Sequence, residues 1–207
     1  MVNVGVVAHA DREVAALRLA GDVGATFVSV DRGGVLGCNG NHAAVQRHLA
    51  GLPGDWAVIL EDDALPVPGF RDQVVAALEV APAPVASLYL GRQRPPQYQR
   101  RIQIACGLAD SSGANWLTSP RMLHAVGYAI RTDLLPTLLA FDSDLPADER
   151  IGACFGDVAY CWPSLVDHAD GPSVTRHPDG QRRTPGRVAW RVGSRDVWTD
   201  ASVVLTE

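Results

Sequence analysis

Short apolar runs rich in β-branched residues alternate with amphipathic stretches through the first half of the chain. Residues 2–8, with Val2, Val4, Val6 and Val7, read as a strand. A helix is expected over 12–19, with Asp11 as N-cap and Val14, Leu17 and Arg18 at helical spacing. A second strand follows over 25–30, closed by Asp31, then a helix over 41–49 with Val45, His48 and Leu49 on one face. Residues 56–60 (WAVIL) are continuously apolar, the mark of a strand buried on both faces. A helix over 70–80, with Phe70, Val74, Ala77 and Leu78 inward, and a strand over 85–90 complete this half. Strand, helix, strand at this spacing predicts parallel βαβ units.

The second half is less periodic. Residues 92–101 hold four Arg, a Tyr and two Pro and read as a basic, non-helical loop; 102–120 show no clear period. Helices over 132–141 and 148–155, the latter N-capped by Asp148, precede a strand over 158–162. From Thr175 the chain is Arg-rich (Arg176, Arg182, Arg183, Arg187, Arg191, Arg195), with Trp190 and Trp198 interleaved. The expected division is one α/β domain over 1–175 and a tail or lid over 176–207 packed on it, serving as lid, acceptor-binding arm or interface.

Composition narrows the function classes. At 207 residues and 47% hydrophobic content, the chain can bury one large core. A net charge of -5 argues against binding nucleic acid through bulk charge. All 18 basic residues are Arg, so no lysine is available as nucleophile or phosphate clamp. Cys38, Cys106, Cys154 and Cys161 form no C-x-x-C pair and read as free thiols of a reducing compartment. No apolar run reaches the length of a membrane span, and the first residues lack a basic region followed by an apolar core. The expectation is a soluble, cytoplasmic protein.

The apolar run 56–60 ends in Glu61-Asp62-Asp63. Ligand sites of open α/β sheets lie outside the carboxyl ends of the strands. Three acids there repel one another unless a cation sits among them, and hard divalent ions take oxygen ligands and bridge phosphates. A solvated turn would carry the same residues, in which case Asp63 is an exposed acid. His9, Asp11 and Arg12, where the first strand meets its helix, could face a base or phosphate, and Asp31 could meet a ribose hydroxyl. The glycine-rich stretch 33–42 matches neither the dinucleotide fingerprint nor the P-loop.

The blocks Leu36-Gly37-Cys38-Asn39-Gly40-Asn41-His42 and Val58-Ile59-Leu60-Glu61-Asp62-Asp63, followed by Phe70, resemble glycosyltransferase family 25, the lipooligosaccharide and collagen galactosyltransferases. That family carries Gly-Cys-x-x-Ser-His, then a strand ending in Glu-Asp-Asp; here Asn41 stands at the Ser position. Gly127-Tyr128-Ala129-Ile130, Pro146-Ala147-Asp148 and the Pro163–His168 stretch resemble further family segments, and the likeness spans about residues 2–173. It implies a single GT-A domain, a Rossmann-like, mostly parallel twisted sheet flanked by helices. It also implies an inverting sugar transfer from a nucleotide-diphosphate donor, of the UDP-sugar kind, dependent on Mn2+ or Mg2+. The expected metal ligands are Asp63 and Glu61, with His168 completing the shell because imidazole suits manganese. Ala8, His9, Arg12, Asp31, Gly37, Asn41, His42, Glu61 and Asp62 would bind the donor, and Arg100, Arg101 and Tyr128 the acceptor. Asp148 is the expected base, with Asp62 beside it in the catalytic set.

Other classes stay open at this point: a non-catalytic nucleotide-sugar-binding domain, a metal-dependent phosphohydrolase, or a phage enzyme acting on hydroxymethylated DNA bases or a capsid protein. The Arg-rich segments keep an anionic acceptor in view despite the acidic total.

Overall fold

A computed structural model of the protein describes residues 1–171 and 186–205. Its centre is an eight-stranded sheet in the order β2 (Phe27–Asp31), β1 (Val2–His9), β3 (Trp56–Glu61), β7 (Gly127–Arg131), β5 (Val85–Ser87), β8 (Val158–Cys161), β6 (Trp116–Ser119), β10 (Ser202–Val204). Four of the seven pairings are parallel, including both pairings of β1. Strand β7 runs antiparallel between β3 and β5, and β6 antiparallel to β8. The alternating side chains of each buried strand supply both faces. Val58 and Leu60 join α1 (Glu13–Val23) and α3 (Phe70–Glu79) in one apolar layer. Ala57 and Ile59 join α2 (Gly37–Ala50), α4 (Gln99–Ser112), α5 (Leu135–Ala140) and α6 (Ala147–Phe155) in the other. The result is a three-layer α/β domain with a Rossmann-like βαβ half. No helix of the described residues is long and apolar enough to cross a membrane.

Close packing fixes α2 on this half. A Cβ at Gly5 would lie 2.4 Å from Val45 Cγ1, so only glycine on β1 lets α2 approach so near. Strand β3 carries the expected apolar run, and α3 buries Phe70, Val74, Ala77 and Leu78 as expected.

Several boundaries differ from the sequence reading. In α1 the buried stripe is Ala16, Leu19 and Val23, while Val14 and Leu17 are exposed. The N-cap before it is His9, whose Nδ1 accepts from the Asp11 backbone N–H, because a short 3-10 turn (Ala10–Arg12) precedes the helix. Helix α2 begins at Gly37, so half of the glycine-rich stretch is helical, and His48 is exposed and stacks on Phe27. Asp148 lies in the first turn of α6 rather than at its cap, which is Pro146. The basic loop is shorter than expected, since α4 starts at Gln99 and runs to Ser112, through the first part of the stretch read as aperiodic, whose end forms β6. Its inward residues Ile102, Ala105, Cys106 and Ala109 have helical spacing hidden among small residues.

The tail is integral to the fold. Residues 202–204 pair with β6, and Trp198 is buried against Trp116. Arg195 donates to the carbonyls of Trp162 and Ala114. Arg176, Arg182, Arg183 and the expected boundary at 175 lie outside the described residues.

Candidate functional site

The carboxyl ends of β1, β2 and β3 lie side by side, with His9 paired to Asp31 and Val7 to Glu61. Neighbours β2 and β3 flank β1 on opposite sides, which makes these strand ends the switch point where ligands of such sheets bind. The sequence puts charge at each strand end, and the fold gives each charge a partner.

Asp62 and Asp63 meet a cation supplied by the chain itself. Arg12, at the end of the turn after β1, donates from Nη1 to Asp62 Oδ1 at 3.0 Å and to Asp63 Oδ2. The His9 backbone N–H donates to Asp62 Oδ2 at 2.6 Å. Strand β4 (Ala64–Pro66) pairs antiparallel with β9 (Val166–His168), which sets His168 opposite Ala64 and its Nε2 3.2 Å from Asp63 Oδ2. The Ala169 N–H to Asp63 carbonyl bond closes this ribbon. Burial raises the Asp62 pKa above the ordinary carboxylate value. At Asp63 burial acts in the same direction, but His168 and Arg12 more than offset it, so its pKa is lowered. Two neighbouring acids thus have their acidities pushed apart. Asp63 Oδ1 and His168 Nδ1 are buried with no hydrogen-bond partner among the described residues. A carboxylate oxygen and an imidazole nitrogen are both donor types that a divalent ion accepts.

Glu61 belongs to a different cluster. Its Oε1 lies 3.2 Å from His42 Nε2, and His42 Nδ1 lies 3.0 Å from the Tyr128 hydroxyl, which also accepts from Gln46 at 3.0 Å. Cys38, one turn before His42 on α2, brings its thiol to the same ring. Burial opposes charging of His42, but Tyr128, Cys38 and Glu61 outweigh it and its pKa lies well above the ordinary imidazole value. Tyr128 is wholly buried and bonded to His42 and Gln46, so, contrary to the expectation of an acceptor contact, its hydroxyl presents no surface to an acceptor. Sequence reading missed Gln46, which a buried polar residue one turn beyond His42 could have signalled.

The remaining donor candidates hold the crevice wall. Asp31 accepts from the Leu36 and Gly37 N–H groups at 3.3 and 2.9 Å, so it caps the glycine-rich turn, a role its strand-end position did not reveal. Asn41 donates to the Ala8 carbonyl at 2.9 Å and leaves Oδ1 buried with no partner among the described residues. Ala8 is itself buried and contributes only backbone. Asn39 reaches across the mouth to the Leu145 carbonyl at 2.8 Å, tying the start of α2 to the loop before α6.

Asp148 sits on that far wall. Burial, with the charge of Glu61 adding to it, pushes its pKa up to about 6. It lines a cleft of about 430 Å³ with Tyr98, Arg121, Met122, Leu123 and Glu149. Gly152 completes the wall because a Cβ there would stand 2.7 Å from the Met122 backbone nitrogen. Arg101 lines a smaller adjoining depression with Tyr98 and Arg121, and Arg100 is exposed one residue away.

No protein-family model and no curated protein matches the chain. The site therefore stands on its own chemistry: two bonded acids with a histidine at the switch point, and a raised-pKa acid across the crevice facing a roomy cleft.

Proposed function

We propose that the chain is a glycosyltransferase of the GT-A type, akin to family 25. It moves a sugar, with inversion, from a nucleoside-diphosphate donor such as a UDP-sugar to an acceptor hydroxyl. The observation that carries this reading is the convergence of Asp63 and His168, from separate elements, at the carboxyl end of β3. These two would hold a Mn2+ or Mg2+ ion, which supplies Lewis-acid stabilisation of the departing diphosphate when bound.

The chain's own residues account for the remaining steps. The backbone at Ala8 and the Asp31-capped turn form the nucleotide side of the crevice. The cleft beyond Asp148 seats the acceptor, with apolar Met122 and Leu123 on one side and Arg121 on the other. Asp148, ionised above about pH 6, takes the proton of the attacking hydroxyl. The new bond forms at the anomeric carbon as its bond to the diphosphate breaks, and the electron pair leaves with the nucleotide.

Arg12 supports a second version of the same chemistry. Its guanidinium already neutralises Asp62 and Asp63, and a guanidinium can also face a diphosphate. Calorimetric titration with UDP, in Mn2+ and again in chelator, separates the two. Tight binding only with Mn2+ supports the metal-bridged form, and equal binding in both supports the Arg12 form. A panel of nucleoside diphosphates that all fail to bind would sink the whole reading.

A further inference from the structure

We propose that Cys38, His42 and Glu61 form a binding site for one thiophilic divalent ion of the zinc class, separate from the Asp63–His168 pair. The thiol, imidazole and carboxylate atoms lie within 4.8 Å of one another. Cys38 and His42 are one turn apart on α2 and so share a face, while the end of β3 brings Glu61 against that face from the sheet. Sulfur, nitrogen and oxygen around one point is the donor set zinc accepts, whereas magnesium and manganese prefer oxygen. Three protein ligands with an exposed Cys38 leave a fourth position open to solvent.

The surroundings of His42 favour this use. A ligating histidine is oriented by a hydrogen bond at its other nitrogen. Here Nδ1 is held by the Tyr128 hydroxyl and Nε2 faces Glu61. Gln46 donates to Tyr128, and its Oε1 has no partner among the described residues. Turning that amide over lets Tyr128 donate to Oε1 and accept from Nδ1–H, which frees the Nε2 lone pair. The ion binds thiolate, neutral imidazole and carboxylate, so the thiol proton and any Nε2 proton leave to water. Tetrahedral zinc holds its sulfur and nitrogen ligands roughly 3.5 Å apart. Rotation of the exposed Cys38 side chain supplies the contraction needed.

Cobalt(II) alone is the probe, added to the full chain under reducing conditions and read by absorption, followed by zinc displacement. One equivalent should give an intense thiolate-to-cobalt charge-transfer band that zinc abolishes. Cys38→Ser, at an exposed position, should remove the band and weaken zinc binding at least about tenfold. Tyr128→Phe should weaken it roughly ten- to a hundredfold while keeping the band. Asp63→Asn should leave both readings unchanged. No band in the parent chain, or a band kept by Cys38→Ser, overturns the proposal. Equal loss in Asp63→Asn overturns the separateness of the two sites. Nucleoside-diphosphate binding is measured independently, so this site can fail without touching the transferase reading.

Discussion

Glu61 and Asp63 are two residues apart and occupy opposite chemical settings. Asp63 is nearly enclosed and shared by Arg12 and His168, cations or donors brought from the far ends of β1 and β9. Glu61 is more open and faces a histidine, a thiol and, through its charge, Asp148. The difference arises because β3 ends at Glu61: the strand fixes that side chain toward α2, and the turn after it swings the next two acids toward the β1 loop and the β4–β9 ribbon. One acidic triplet therefore serves two walls of one crevice. The mutual repulsion expected of three consecutive acids is relieved by the protein's own Arg12 before any ion arrives.

The largest expected effect breaks the Glu61 wall. Asp148→Asn should lower kcat by about 10²–10⁴, the usual contribution of a positioned base. In the parent protein kcat/KM should climb about tenfold per pH unit up to about 6 and then level, because burial raises the Asp148 pKa and only the carboxylate accepts the proton. The variant should lose that limb. A carboxyl whose folded pKa is raised favours the native state below its unfolded pKa, and that contribution is lost as pH rises toward 6. Asp148→Asn should thus melt slightly higher at pH 7 while losing turnover. A pH profile unchanged in the variant would remove Asp148 from the reaction.

Next comes the Asp63 wall. The sequence suggests an exposed acid that alanine could replace without harm, but the Asp63 side chain is only 12% exposed and is bonded, so the isosteric Asp63→Asn is the cleaner test. It should cost about 10²–10³ in kcat, the scale of one lost electrostatic stabiliser of developing charge. Donor affinity measured in chelator should stay the same, which would place the loss in the metal-dependent step.

Arg12→Ala sharpens the contrast through stability. Removing the guanidinium strands two buried carboxylates, which should cost about 3 kcal/mol. Added Mn2+ should recover part of that loss and raise the variant's melting temperature more than the parent's. Equal shifts in both proteins would mean that Arg12 and a divalent ion do not compete for these acids.

The contrast between the walls also explains what the sequence revealed. Strands β1, β2 and β3 are rich in β-branched residues, parallel and close in sequence, so their place side by side, with acids at the ends of β2 and β3, could be read directly. Strands β7, β6 and β10 enter the other half from distant segments, and their pairing depends on long-range register that no local pattern encodes. Helix α4 hid because its inward residues are mostly small. The capping bonds of Asp31 and the bonds of Tyr128 and Gln46 escaped the sequence reading for one reason: each is made to a partner 5 to 86 residues away, which spacing alone cannot show.

The smallest expected effect tests whether the cleft beyond Asp148 is the acceptor's. Arg100 and Arg101 lie in the first turn of α4, a turn that contains no acid, and both are exposed. Cations at a helix N-terminus oppose the helix dipole, so the fold gains nothing from them there. Replacing both with Ala should leave the protein intact and raise its melting temperature by about 1–2 °C. If they serve an anionic acceptor beside Arg121, the acceptor KM should rise several-fold, and the remaining affinity should depend less steeply on salt. Donor affinity should not change, because the proposed donor site lies at the ends of β1, β2 and β3. A double variant that loses UDP binding instead would place these arginines on the diphosphate and would merge the two walls into one.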